Sequence, residues 1–224
     1  MVWGTQRTFQ QSDIWTESRV VSAESEETNN ASPKRARPCQ PKFTNEKMSE
    51  TSIVQCTFDR HAEAILKIFN DTIQNSSALF EYEPRTMQTM ATWFETKRAG
   101  GFPIIGIEDG DTGALIAFGS YGVFRAFPAN KYTVEHSVYV HVDHRGRGLG
   151  RVVMQELIAA ARRNDLHVLI GGIEATNAGS IALHESLGFQ HVGTLPQVGF
   201  KFGRWLDLGF YQLLLDTPAH PIDG

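Results

Sequence analysis

Cysteine is scarce in this chain, whose 224 residues include two, Cys39 and Cys56. Two cysteines cannot build a disulfide framework, and their spacing lacks the paired Cys-x-x-Cys pattern of a structural zinc site. The sequence therefore favours reduced thiols in an intracellular protein, with no disulfide network and no metal.

Long apolar runs and a surplus of basic residues are also missing. No uninterrupted apolar stretch approaches the roughly 20 residues that span a bilayer. A basic start followed by an apolar segment, which would mark a secretory signal, is absent too. The formal net charge of -4 argues against general binding of nucleic acid, which needs a basic face. We expect a cytoplasmic protein without membrane or nucleic-acid partners.

The first 50 residues differ in composition from the rest. Ser, Glu, Asn, Gln, Thr and Pro dominate, and apolar residues follow no sustained period. Such a segment cannot offset its ordering entropy by burial, so we predict a disordered extension over residues 1–50. The basic residues of Lys34–Arg37 fit a solvated charge run better than a nuclear address. A folded domain is expected over 51–216 and a flexible tail over 217–224.

Hydrophobic periodicity from residue 53 onward predicts a mixed α/β domain, that is, a twisted sheet flanked by helices. Strands come early in the chain, and strand–helix units follow later. The predicted strands are 53–57, 103–108, 114–121, 134–142, 168–173 and 205–215, and the predicted helices are 61–72, 86–99, 149–164 and 178–187.

The most informative segment is a basic, glycine-rich turn between a strand and a long helix. It reads Arg145-Gly146-Arg147-Gly148-Leu149-Gly150-Arg151. Alternating glycines let backbone amides wrap an anion, and the helix N-terminus adds partial positive charge. The turn lacks the Lys-Ser/Thr pair of a P-loop and the Gly-x-Gly-x-x-Gly spacing of a dinucleotide fold. We interpret it as a phosphate-binding loop of another kind.

This segment resembles the pyrophosphate loop of the GNAT superfamily of N-acetyltransferases. The resemblance implies a mixed, twisted sheet with flanking helices, and acetyl-CoA as co-substrate with no metal. It implies that the turn holds the diphosphate of acetyl-CoA and that Val138, Tyr139 and Val140 run beside its pantetheine arm. It also implies that Asn177 and Ser180 contact that arm, although Asn177 is equally suited to cap the helix that follows it.

Three longer segments narrow the resemblance. Residues 133–140, 177–189 and 196–207 are similar to the phosphinothricin and methionine sulfone/sulfoximine N-acetyltransferase branch, and the likeness covers roughly residues 52–215. The resemblance implies acetylation of the amino group of a small amino-acid-like substrate, which is a form of amino-acid detoxification. It further implies a homodimer, because the stretch near Lys201–Trp205 lies close to the partner subunit in related enzymes.

Acetyl transfer to an amine requires a base, and Glu135 is the candidate. It stands between apolar residues on a strand that leads into the turn, so burial should raise its pKa. From spacing alone, Glu135 could equally be a surface residue of the strand. The resemblance favours the role of general base. His184 is the second candidate catalytic residue by resemblance, although a lone histidine on an apolar helix is more often a packing residue.

Arg125 is the candidate ligand of the acceptor. A planar guanidinium suits bidentate binding of an α-carboxylate, and the resemblance places an arginine and aromatic residues at this point. The further substrate-binding candidates are Phe127, Phe80, His136 and Ser137. Phe80 and Phe124 stand where relatives often have tryptophan, which leaves the side chain of the substrate open.

Several readings compete with this one. His141 and Asp143 have metal-ligand side chains, but a solvated strand end is favoured. The basic and aromatic residues of Lys201–Trp205 form one patch only, which is weak support for nucleic-acid binding. Two other functions stay open: an acetyltransferase acting on proteins or peptides, and a non-catalytic sensor of acyl-CoA.

Overall fold

A computed structural model of the protein describes residues 51–223. The predicted extension, with Cys39 and the basic run at 34–37, lies outside the described residues. The described part contains seven strands and four α-helices. The strands are β1 Thr51–Gln55, β2 Ile104–Asp109, β3 Leu115–Val123, β4 Thr133–Val140, β5 Val168–Glu174, β6 Gln190–Lys201 and β7 Arg204–Leu214. The helices are α1 Phe58–Asn75, α2 Met87–Ala99, α3 Leu149–Arg163 and α4 Ala178–Glu185.

Local signals explain where the helices begin and end. Thr86 caps α2 through a reciprocal pair of hydrogen bonds with Thr89, and Gly100 follows its last residue. Gly148 precedes α3 in the left-handed conformation, with φ of 78°. Asn177 caps α4, since its side-chain oxygen accepts a hydrogen bond from the backbone N–H of Ser180. The capping role considered for Asn177 is therefore confirmed.

All seven strands belong to one sheet in the order β1-β2-β3-β4-β5-β7-β6. Every neighbouring pair is antiparallel except β4 and β5, which run parallel. That parallel pairing covers three residues of each strand, Thr133–Glu135 against Val168–Ile170. Beyond this point β4 continues beside β3 while β5 pairs with β7, so the middle of the sheet opens. The predicted mixed α/β fold is confirmed.

Helices cover both faces of the sheet. Leu157 and Val153 of α3 belong to one buried cluster, together with Ile105 of β2. Phe69 of α1 belongs to another cluster, which includes the neighbouring β2 residue Ile104. Because consecutive residues of a strand point to opposite faces, the two clusters lie on opposite sides of the sheet.

One strand was not predicted. The segment from Gln190 to Lys201 forms β6, a 12-residue strand at the edge of the sheet, whereas the sequence pattern indicates six strands and leaves this stretch irregular. Two irregularities in its pairing with β7 and its largely exposed side chains explain the missing alternation. The other predicted elements lie within a few residues of the observed ones.

Two structural observations bear on partners. Between residues 51 and 223, no helix combines the length and the apolar character needed to cross a membrane. Within the same residues, no group of three or more histidine, cysteine, aspartate or glutamate side chains is arranged to hold a metal ion. The predicted tail follows β7 without further helix or strand, and Ile222 near its end hydrogen-bonds the phenol of Tyr132.

Candidate active site

The main cavity lies where β4 and β5 separate, and its volume is about 550 Å³. Its walls come from β4, from β5, from the glycine-rich turn, from the start of α4 and from the loop after α1. Many of the predicted site residues line it: His136, Ser137, Val138, Tyr139, Val140, Arg145, Gly146, Gly148, Leu149, Gly150, Asn177, Ser180 and His184. Arg147 and Arg151 do not line it.

The glycine-rich turn has the geometry of an anion cradle. Gly146 and Gly148 have φ of 76° and 78°, and a Cβ added to either residue would meet no atom within 4 Å. The turn leads into α3, whose first backbone N–H groups have no partner within the helix. Open space, amide donors and a helix N-terminus therefore coincide at one edge of the cavity.

The three arginines of the turn take different positions. Arg145 lines the cavity and is held by the backbone oxygen of Val140 at 3.3 Å and by the carboxylate of Asp71 at 3.5 Å. Arg147 contacts His144, and Arg151 donates to the hydroxyl of Ser186. The last two lie at the surface beside the turn, where they add positive charge without forming its wall.

His136 and His184 form a buried pair on one side of β5. Their Nε2 atoms are 2.9 Å apart, and His184 Nδ1 lies 2.7 Å from the carbonyl oxygen of Ser180. Because a carbonyl can only accept, His184 carries its proton on Nδ1 and accepts from His136 at Nε2. Burial lowers the pKa of both rings, that of His136 to about 3, so both are neutral at pH 7.

This bonding pattern uses both ring nitrogens of His184. His136 Nδ1 is then the unpaired atom, and it is buried without a hydrogen-bond partner. His136 was predicted to bind substrate and His184 to assist catalysis. The structure brings both to the wall of the cavity and joins them to each other. His184 can exchange a proton with a bound molecule only after its bond to His136 or to Ser180 opens.

Glu135 precedes His136 on β4, and its side chain points to the opposite face. It lines a second pocket of about 400 Å³ with Phe124, Arg125, Ala126, Phe127, Leu208 and Phe210. Desolvation raises the pKa of Glu135, and the positive charge of Lys97 acts in the opposite direction. A carboxylate with a raised pKa in an aromatic pocket has the properties of a general base.

Gly171 and Gly172 of β5 make room for these groups, one on each face. A Cβ on Gly171 would lie 3.0 Å from His184 Nε2, and a Cβ on Gly172 would lie 3.1 Å from Glu135 Oε1. Gly172 also lines the main cavity, so the carboxylate of Glu135 lies where the two pockets meet. Sequence reasoning missed both glycines, although paired glycines inside a strand indicate close approach of another group.

Sequence reasoning also missed Glu174, which ends β5 and lines the main cavity. Its buried carboxylate accepts hydrogen bonds from Thr176 at 2.6 Å and from Ser77 at 3.3 Å, and Arg204 lies 3.4 Å away. These contacts tie the loop after α1 and the start of β7 to the cavity wall. Phe80, a predicted substrate residue, lines neither pocket and lies over Gly199 of β6.

Cys56, the cysteine among residues 51–223, supplies no nucleophile to this site. Cys56 is buried in the cluster beneath α1 and α2, away from both pockets. Burial raises the pKa of its thiol to about 12, so the thiolate that a nucleophile requires does not form near neutral pH.

Comparison with known proteins agrees with this architecture. Residues 63–189 match the Acetyltransferase (GNAT) family. The chain is 47% identical, over 68% of its length and 88% of the relative, to an L-methionine sulfoximine/L-methionine sulfone acetyltransferase of Pseudomonas aeruginosa.

Two solved structures are similar as well. A protein of Acinetobacter baylyi matches with a TM-score of 0.78 and 56% identity, over 80% of this chain and 99% of the other. A phosphinothricin acetyltransferase of Sinorhizobium meliloti in complex with acetyl-CoA matches with a TM-score of 0.72 and 30% identity, over 76% and 92% of the two chains. The family resemblance drawn from the sequence is thus confirmed, and the chain belongs to the GNAT family of acetyltransferases.

Proposed function

We propose that this acetyltransferase moves the acetyl group of acetyl-CoA to the α-amino group of a small amino-acid-like substrate, of the methionine sulfone, methionine sulfoximine or phosphinothricin type. One observation carries the proposal: the carboxylate of Glu135 lies over Gly172, between an aromatic pocket and a cavity that ends in a basic, glycine-rich turn. The name of the Pseudomonas aeruginosa relative supports the substrate class.

Acetyl-CoA supplies the acetyl group. The main cavity has features suited to the diphosphate and to the amide-bearing arm of acetyl-CoA. The turn at 145–150 would hold the diphosphate through backbone amides and Arg145. Beyond Glu135, β4 no longer pairs with β5, which leaves backbone groups of Val138–Val140 available to an amide-bearing arm. Asn177 and Ser180 line the same space.

The reaction needs no covalent enzyme intermediate. Glu135 takes a proton from the ammonium group of the acceptor, and the amine lone pair then attacks the thioester carbonyl. The new C–N bond forms as the C–S bond breaks, and the sulfur leaves with the electron pair. The nitrogen then releases its second proton, which the sulfur takes up, so the products are a neutral amide and a free thiol. A general base contributes about 10²–10⁴-fold, and alignment of two bound substrates contributes an effective molarity on the order of 10⁵–10⁸ M.

The second pocket suits an amino acid. Arg125 lies exposed at its wall, 5.5 Å from the ring of Phe124, where its guanidinium can pair with an α-carboxylate. Phe124, Phe127 and Phe210 supply an apolar lining for the side chain. Ser137 lies two residues after Glu135 on the same face of β4 and is suited to a polar contact with the substrate. We keep Phe80 and His136 as substrate-side predictions.

Acetylation of this amine removes its charge and its nucleophilicity, which is how such a reaction would detoxify an amino-acid analogue. The direct test is turnover measured as free thiol released from acetyl-CoA. The panel contains methionine sulfone, methionine sulfoximine, phosphinothricin, their α-amides and short peptides. We expect turnover with the free amino acids, and much less with amides, which lack the carboxylate.

The other outcomes separate the competing functions. Turnover with peptides but not with amino acids would support the protein or peptide acetyltransferase. Tight binding of acetyl-CoA without turnover of any amine in the panel would support the non-catalytic sensor. Either result would contradict the proposed acceptor.

A further inference from the structure

Lys97 is a half-buried cation on the acceptor side of the sheet. It lies in the last turn of α2, and its ammonium group donates a 2.7 Å hydrogen bond to the carbonyl oxygen of Tyr121 on β3. The rings of Trp93 and Phe102 flank it at 5.6 and 5.9 Å. No carboxylate of the described residues forms an ion pair with it within 4.0 Å.

The strand register places this ammonium beside Glu135. Gly122 is the cross-strand partner of Glu135, and a Cβ on Gly122 would lie 3.0 Å from Lys97 Nζ. Side chains of directly opposed residues share one face of the sheet, with Cβ atoms about 4.5–5.5 Å apart. Glu135 leans the other way, over Gly172, so the two groups interact through space rather than by contact.

We infer that Lys97 is a positioning residue of the acetyl transfer: its ammonium, fixed to the Tyr121 carbonyl, keeps Glu135 ionised and ready to accept a proton. The inference rests on the proposed role of Glu135. Lys97 lines neither pocket and touches neither substrate, so it acts only through the charge that it places next to the base.

Glu135 and Lys97 each shift the pKa of the other in a defined direction. Desolvation raises the pKa of Glu135, and Lys97 lowers it. In turn, burial and the charge of Arg85 lower the pKa of Lys97 to about 8, while Glu135 opposes that shift. Lys97 is therefore charged below that pH, and its charge opposes the effect of desolvation on the pKa of Glu135. The other ionisable groups described on this side are the ion pair of Arg85 and Glu81, Arg125 in the pocket and Tyr139 on β4.

The test is the pH dependence of kcat/KM for Lys97→Met beside Lys97→Arg. A base works in its ionised form, so activity falls as the pH drops through its pKa. Removal of the positive neighbour should raise that pKa and move the acid limb of the profile by about one pH unit toward alkaline values. Lys97→Arg, which keeps the charge, should stay within about 0.3 unit of the native profile. An unmoved acid limb in Lys97→Met, or an equal shift in both variants, would overturn the inference.

Two further measurements separate this inference from the proposed function. If Glu135→Gln keeps its turnover, the assignment of the base fails and the role of Lys97 fails with it. If Glu135→Gln loses turnover while Lys97→Met keeps the native profile, only the role of Lys97 fails. Acetyl-CoA affinity should be unchanged in Lys97→Met, and Lys97→Gln provides the same readout if the methionine variant does not fold.

Discussion

Glu135 and His136 are adjacent in sequence, but successive side chains of β4 point to opposite faces of the sheet, so the two residues lie in different environments. His136 packs against His184 of α4 at the wall of the main cavity, where burial keeps its ring neutral. Glu135 enters the aromatic pocket, where it can meet an amine. Of the two, Glu135 is the residue that we propose as the base.

Replacement of Glu135 by glutamine tests that assignment. The amide of glutamine has nearly the same shape as the carboxylate but cannot accept a proton near neutral pH. We therefore expect kcat to fall by about 10²–10⁴-fold. Acetyl-CoA affinity, measured by calorimetry, should change little because the residue does not line the main cavity. Glu63→Gln, on the exposed side of α1, is the control that should keep native turnover. Equal turnover in the two variants would remove Glu135 from the mechanism.

The Gly148→Ala substitution tests whether the glycine-rich turn binds the diphosphate of acetyl-CoA. The Cβ would meet no protein atom within 4 Å, so it would occupy space available to the diphosphate. We expect acetyl-CoA affinity to fall at least about tenfold, or roughly 1.4 kcal/mol.

The turn between β2 and β3 offers a matched control for that substitution. Gly113 also has a positive φ, 68° against 78°, and equally open space around a Cβ, but it is remote from the cavity. Gly113→Ala should show a similar loss of folding stability, about 1–2 kcal/mol, with native acetyl-CoA affinity. If the two variants bound acetyl-CoA equally well, the turn would not be the diphosphate site.

Among the elements, β6 pairs with β7 and is also joined to the end of α1 by a buried lysine. Lys201 is 5% exposed, and its ammonium donates to three carbonyl oxygens, those of Ile73, Ser76 and Leu79, at 2.7–2.9 Å. These carbonyls belong to the end of α1 and the loop after it. The charge that suggested a nucleic-acid patch in the sequence is therefore buried as the cap of a helix C-terminus.

Lys201→Met should destabilise the domain strongly, since it removes the donor of one buried and two partly buried hydrogen bonds to carbonyl oxygens. We expect the free energy of unfolding to fall by about 2–4 kcal/mol in urea denaturation. Lys67→Met, on the exposed surface of α1, is the matched substitution and should stay within about 0.5 kcal/mol. A loss below 1 kcal/mol at Lys201 would mean that water replaces the ammonium at little cost.

The elements differ in how well the sequence predicts them, for a physical reason. α3 and β4 were predicted because a buried stripe and β-branched residues leave a clear periodic pattern. β6 was missed because Gly193, Pro196 and Gly199 interrupt it and most of its side chains face solvent. An edge strand with such irregularities has neither a buried face to impose alternation nor a partner on its outer side.

The site as a whole was only partly predictable. The turn at 145–151 is visible locally, because its glycines, its arginines and the following helix are contiguous. The meeting of Glu135 with Gly172 and Leu208 depends on the pairing of three strands that are distant in sequence. The early separation of β4 from β5, which opens the cavity, follows from long-range pairing and leaves no local pattern.

At the scale of the whole molecule, the hairpin of β6 and β7 carries a group of exposed large hydrophobic residues, and contiguous apolar surface marks interaction sites. Its exposed large hydrophobic residues are Val192, Leu195, Val198, Phe200, Phe202, Trp205 and Leu214. Phe200 and Trp205 are cross-strand partners whose ring centroids are 5.1 Å apart. An uncovered apolar edge strand invites association, so we propose that a second copy of the chain covers this hairpin in a homodimer.

Trp205→Glu tests the dimer, because a carboxylate in the middle of an apolar interface would lack a partner and would have to be desolvated. We expect light scattering to show a dimer for the native protein and a monomer for this variant. Ile222→Glu, at a residue of greater exposure near the chain end, should remain dimeric. Because neither pocket includes Trp205, the monomeric variant should still bind acetyl-CoA. A native protein that is monomeric at micromolar concentration, or a Trp205→Glu variant that stays dimeric, would exclude this surface as the interface.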